Sequence, residues 1–87
     1  MAYKLIFPHS YIRRAKAFIK KHPDFLRQYE KTLLLLEQNP YHPSLRMHPL
    51  KGLHSVSINI NYRITIELIV SEQSITLINV GSHEEVY

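Results

Sequence analysis

The apolar residues of this chain change period once. From Ile12 to Leu36 they recur every three or four positions, and from Leu53 to Val80 they mostly alternate with polar ones. The first spacing makes a one-faced helix and the second a half-buried strand. Helices grouped ahead of most of the strands predict an α+β fold, not the regular alternation of a parallel α/β sheet. With 87 residues the chain is expected to form a single domain over 1–87, with no room for a separate cofactor domain.

The elements follow from the same spacing. Tyr3 to Phe7 reads as a short strand ended by Pro8, and Ser10 is placed to cap the helix that follows. Ile12, Ala15, Phe18 and Ile19 form the apolar face of a helix over 11–21, with Arg13, Arg14, Lys16, Lys20 and Lys21 filling much of the rest. His22-Pro23-Asp24 breaks it, because a residue before proline avoids the helical region. Asp24 can cap a second helix over 25–38, faced by Leu26, Tyr29, Leu33 and Leu36 and stopped by Asn39-Pro40. So short a connection predicts an antiparallel helix pair. Residues 41–52, with Pro43, Pro49 and Gly52, read as a loop. Three strands follow, over 53–61 with a turn inside Asn59 to Tyr62, then 62–70, then 75–80. The predicted order is β-α-α-β-β-β, an antiparallel sheet that includes the N-terminal strand and carries the helix pair on one face.

Composition narrows the chemistry. Cysteine is absent, which removes disulfides, thiolate metal sites and a cysteine nucleophile. Two glycines, Gly52 and Gly81, make no phosphate loop. No secretory leader or membrane span is legible, so a soluble, cytoplasmic protein is expected. The formal charge is +4, unevenly spread. All 11 basic residues lie between Lys4 and Arg63, opposed there only by Asp24, Glu30 and Glu37, a formal +8. Residues 67–87 hold four glutamates and no Lys or Arg. A basic body suits a polyanion or an acidic protein partner.

Six histidines in a chain this short invite a reading as acid–base groups. If the helices cover one face of the sheet, Ser55, Ser57, Asn59, Arg63, Thr65 and Glu67 share the other. Cleaving RNA needs a base to take the 2′-OH proton, a cation to steady the phosphorane-like charge and an acid for the leaving 5′-oxygen. Imidazole titrates in the right range for the proton roles, and the guanidinium fork fits a phosphate. His48 and His83 are the candidate base and acid, Arg63 the candidate clamp, and no metal or cofactor is needed. His9 and His22 flank prolines and read as turn or cap residues, while His42 reads as a solvated loop residue and His54 as a strand start. No HExxH is present, and His42 and His48 lack a third ligand at a familiar spacing.

The segments His48-Pro49-Leu50-Lys51-Gly52, Asn61-Tyr62-Arg63-Ile64 and Val80-Gly81-Ser82-His83-Glu84-Glu85-Val86-Tyr87 resemble the RelE/ParE superfamily of bacterial toxins. Within it they are most similar to the RelE/YafQ-like mRNA interferases. The resemblance covers the whole chain, since the predicted element order also matches. It implies the toxin of a type II toxin–antitoxin pair, one that enters the ribosomal A site, cuts mRNA there without a metal, and is blocked by a cognate antitoxin.

Carried over position by position, the resemblance makes His48 a catalytic candidate, Arg63 the phosphate contact, His83 the general acid and Tyr87 a terminal aromatic that stacks on a base. Arg46, Lys51 and Tyr62 are expected to bind substrate beside them. This chain departs from the pattern at Ser55 and Ser57, where RelE-like toxins carry lysines, and at Asn61, where YafQ-like toxins carry aspartate. His48 is then the remaining base, with His54 in reserve. Two other outcomes stand beside cleavage: ParE-like inhibition of DNA gyrase, and a catalytically degenerate module that only binds antitoxin.

Overall fold

The computed structural model describes residues 2–82. The α+β order is the expected one: β1 (Lys4–Ile6), α1 (His9–Lys21), α2 (Leu26–Gln38), then β2 (His48–Leu50), β3 (Leu53–Ser57), β4 (Tyr62–Ile69) and β5 (Ser74–Ser82). The sheet runs β1-β5-β4-β3-β2. It differs from the expectation in two details. β1 lies parallel to β5, so the sheet is mixed, and the segment read as a loop contributes a further strand, β2.

α1 starts at His9 rather than after Ser10. Pro8 stands at the cap with extended φ −62° and ψ 153°, and no side chain caps the helix. Pro8 has no N–H to leave unsatisfied, which suits it to a helix start. Lys20 and Lys21 end α1, where cations complement the helix dipole. The His22 N–H donates to the Phe18 and Ile19 carbonyls at 2.8 and 3.2 Å. Pro23–Phe25 forms one 3₁₀ turn, so Asp24 belongs to that turn and does not cap α2.

The helices cover one face of the sheet, with α1 packed over β5. Tyr11, Phe18, Tyr29 and Leu36 from the helices meet Val56, Ile64, Ile66, Ile75, Leu77 and Val80 from the strands in one core. The Tyr11 and Tyr29 hydroxyls, 2.7 Å apart, join the two helices inside it.

β5 does not alternate cleanly. Its register against β4 slips at Ile78, because Leu77 pairs with Ile66 and Asn79 with Thr65. This bulge reverses the side-chain parity. Leu77 and Val80, three residues apart, both reach the core, and Asn79 and Gly81 move to the far face opposite Thr65 and Arg63.

β2 and β3 meet at a two-residue turn in which Lys51 (φ 49°) and Gly52 (φ 83°) both take positive φ. This is the geometry of a type I′ hairpin, whose twist matches that of the strands. Pro49 is tolerated in β2 because β2 is an edge strand.

Candidate functional site

The face away from the helices carries a polar row. His48 on β2 pairs with Ser55 on β3, Ser55 with Thr65 on β4, and Thr65 with Asn79 on β5. Cross-strand partners lie on the same face, so these four side chains stand side by side across the sheet. In the next row Ser57 pairs with Arg63, and Arg63 with Gly81. Ser55, Ser57, Arg63 and Thr65 thus share one face as the alternation predicts. Asn59 does not join them, because it belongs to the β3–β4 turn. Its side-chain oxygen accepts from the Asn61 and Tyr62 N–H groups at 2.8 and 3.0 Å.

Arg63 is the pivot of this face. It is only 8% exposed, and its guanidinium is tied down. Nε donates to the Ser55 hydroxyl at 3.0 Å, and Nη2 donates to the Ser55 carbonyl at 3.2 Å and to the Arg46 carbonyl at 2.6 Å. The last bond crosses to the turn before β2, where Arg46 sits in the left-handed region at φ 47° and ψ 54°. Arg63 therefore holds in place the backbone that leads into His48. Among the described residues Nη1 has no hydrogen-bond partner.

The expected site residues are distributed unequally. His48 and Arg63 are brought to one face, linked through Ser55, and both His48 and the Arg46 side chain are exposed. Lys51 is exposed at the tip of the β2–β3 hairpin. Tyr62 is not brought there. It precedes Arg63 on the same strand and so projects to the opposite face, where its ring lies 4.7 Å from His22, 5.2 Å from Phe18 and 5.3 Å from Phe25. Its ring closes that end of the core. His54, the reserve base, pairs with Ile66 in the row of the core face. His83 and Tyr87 lie outside the described residues.

Among the other histidines, His22 caps α1 and stacks on Phe25 at 5.5 Å, and His42 Nδ1 accepts from the Ser44 N–H at 3.1 Å. His22 matches its reading as a turn or cap residue, whereas His42, read as solvated, is half-buried and bonded to the turn. Among the described residues no three His, Asp or Glu side chains are grouped to hold a metal ion. No helix is long and apolar enough to cross a membrane. Asn79 and Gly81 were not foreseen on this face, and the signal for them was the three-residue spacing of Leu77 and Val80, which strict alternation does not allow.

Solved structures share this fold over nearly the full chain. A chain of the E. coli DinJ–YafQ toxin–antitoxin complex superposes with a TM-score of 0.79 at 17% identity, covering 100% of this chain and 99% of that one. The RelE–RelB complex of Pyrococcus horikoshii matches with a TM-score of 0.75 at 16% identity, over 94% and 96% of the two chains. A YoeB/ParE toxin from Agrobacterium tumefaciens matches with a TM-score of 0.72 at 19% identity, over 92% and 98%. The chain has the RelE/YafQ toxin fold. No protein-family profile matches the sequence, and no curated protein does. The likeness shown is therefore one of fold. Within the toxin fold, His48 stands on the edge strand, and Arg63 stands two strands further in, at the middle of the sheet.

Proposed function

We propose that this chain is the toxin of a type II toxin–antitoxin pair and that it cleaves mRNA at the ribosomal A site. The observation that carries the reading is the pairing of His48 with Ser55, whose hydroxyl holds Arg63. An exposed imidazole and a guanidinium edge that bonds none of the described residues then share one face. In the reaction His48 takes the 2′-OH proton, and the 2′-oxygen attacks the adjacent phosphorus. The P–O bond to the 5′-oxygen breaks, leaving a 2′,3′-cyclic phosphate. His83 gives the departing 5′-oxygen its proton. Arg63 Nη1 and the Arg46 side chain steady the charge on the non-bridging oxygens, and the Lys51 ammonium holds the neighbouring backbone. Tyr87 stacks on a base.

A binding-only reading has one observation in its favour. Arg63 gives most of its donors to the fold, and the neutral Ser55 and Ser57 stand beside it. A protein built this way inhibits by occupying its target, DNA gyrase in the ParE-like case, or serves only to bind antitoxin.

The deciding experiment is tightly controlled expression followed by mapping of mRNA 5′ ends, with His48→Ala and His83→Ala chains beside the parent. The cleavage reading expects new 5′ ends inside translated codons, reduced roughly 100-fold or more by either substitution while the circular dichroism stays native. Growth arrest with intact mRNA, and loss of supercoiling by purified gyrase, selects the binding reading. Arg63→Ala is a poor probe here, because it also releases the Arg46 carbonyl.

A further inference from the structure

The alternation that buries Val56 and Ile58 does not carry on to Ile60. β3 ends at Ser57, and Ile60 stands 91% exposed in the turn between β3 and β4. A singly exposed apolar side chain is ordinary on a protein surface. This one is held out by a closely bonded turn. The Ser57 hydroxyl donates to the Asn59 carbonyl at 2.7 Å, and the Ile58 and Asn59 N–H groups donate to the Tyr62 carbonyl at 2.9 and 3.3 Å. Asn59 Oδ1 closes the turn from within, through the Asn61 and Tyr62 N–H groups. Ile60 supplies none of these bonds, and its branched side chain is stiff at χ1. Residues 57–62 thus make a firm, uncharged tip on a basic body, with the exposed Asn61 side chain next to Ile60.

This tip borders the candidate site. Ser57 pairs with Arg63, so the turn springs from the Arg63 row, and three residues of chain span at most about 10 Å. A protein-binding patch gathers many apolar side chains. The other large hydrophobics exposed among the described residues, Ile6, Phe7, Leu26, Leu34, Tyr41 and Val70, belong to other parts of the chain. One branched side chain beside one amide suits a single base instead. The ring packs on the apolar surface, and the amide offers a donor and an acceptor side by side to its edge.

We infer that the turn reads one base of a single-stranded RNA laid across the polar face, with Ile60 wedging between two bases and Asn61 bonding the edge of the one it frees. Apolar side chains inserted between bases partly unstack them. Displacing a base also serves the reaction. The 2′-oxygen has to come into line opposite the departing 5′-oxygen, and a sugar released from the stack can turn to reach that geometry. The inference rests on the mRNA reading for the identity of the strand. It adds a determinant of which sequence along that strand is chosen.

The test is a fluorescence titration of the full chain with a short 2′-O-methyl oligoadenylate carrying one central 2-aminopurine. This strand cannot be cut, and the probe brightens when it leaves the stack. The expected result is a saturable rise of about twofold or more, kept by Ile60→Leu and lost in Ile60→Ser, while anisotropy shows the strand still bound through its phosphates. Strands that differ at one central base should bind the parent with affinities spread about fivefold or more, and Asn61→Ala should level them. The inference is overturned if the parent fails to bind the strand, binds it without brightening the probe, or does not distinguish the central bases. It is also overturned if Ile60→Ser brightens the probe as much as the parent does. In that case a dimer dissolved by Ile60→Ser in sedimentation would make the tip a contact between copies. Because no ribosome is present, the two readings fail separately. A chain that cuts mRNA but leaves the probe stacked loses only the base-reading claim, and one that frees the probe through Ile60 yet leaves mRNA intact loses only cleavage.

Discussion

The Tyr11 and Tyr29 hydroxyls share a hydrogen bond of 2.7 Å, and Tyr11 is 1% exposed. Burial pushes the Tyr11 phenol far above its ordinary range, with the Tyr29 charge and hydrogen bond adding to it. Burial also raises Tyr29, while the bond from Tyr11 pulls the other way. A raised folded-state pKa means that the unfolded chain releases its protons first as pH rises past the ordinary phenol value of 10.0. This stabilisation is complete below that pH and lost above it. Tyr11→Phe should therefore cost about 1–2 kcal/mol near neutrality, from the partner left behind on Tyr29. It should also flatten the fall of Tm between about pH 9 and 11, as read by thermal melts. An unchanged alkaline slope would mean that these phenols do not control it. At this scale the site was half legible. Arg63 was legible on the polar face because the alternation through Ser55, Arg63 and Thr65 is regular, whereas His48 was read in a loop. The face Tyr62 occupies was not legible, because one residue of register decides it, and neither was the hold of Arg63 on the Arg46 carbonyl, a contact across 17 positions of sequence.

Among the elements, the helix pair and the strands β3 to β5 were legible because their apolar period is sustained over many residues. β2 was hidden by its own composition. Three residues are too few to show a period, Pro43 and Pro49 argue for a loop, and Lys51-Gly52 lacks the asparagine or aspartate that usually announces a type I′ turn. The bulge at Ile78 was hidden for a different reason, since a slip in pairing depends on the partner strand. The turn offers a direct check. Lys51 holds φ 49° with a side chain that gains nothing there, and asparagine tolerates positive φ better. Lys51→Asn should raise stability by about 0.5–1 kcal/mol, measured by urea denaturation with an unchanged m-value. Gly52, at φ 83°, should resist the same treatment: alanine fits the space around it but not its backbone.

For the whole molecule, the distribution of charge sets both stability and reach. The body from Lys4 to Arg63 carries a formal +8, and on α1 Arg13, Arg14, Lys16, Lys20 and Lys21 are all exposed along one helix. Like charges this dense repel one another in the folded state, and salt screens them. Melting temperature should therefore rise by about 2–5 °C between about 0.02 and 0.3 M sodium chloride. A fall over that range would mean that attractive pairs outweigh the repulsion. The parallel contact of β1 with β5 matters in another way. It joins Lys4 to Ser74, the first described strand to the last. While a ribosome is making this protein, β1 emerges early and waits without its neighbour until Ser74, Ile75 and Thr76 of β5 have followed it out. A chain interrupted before β5 also lacks the wall that α1 packs on and the strand that orders Arg63 through Gly81. Chains broken off before β5 are thus denied the finished polar face, and whatever activity resides there is reserved for chains that have made that strand.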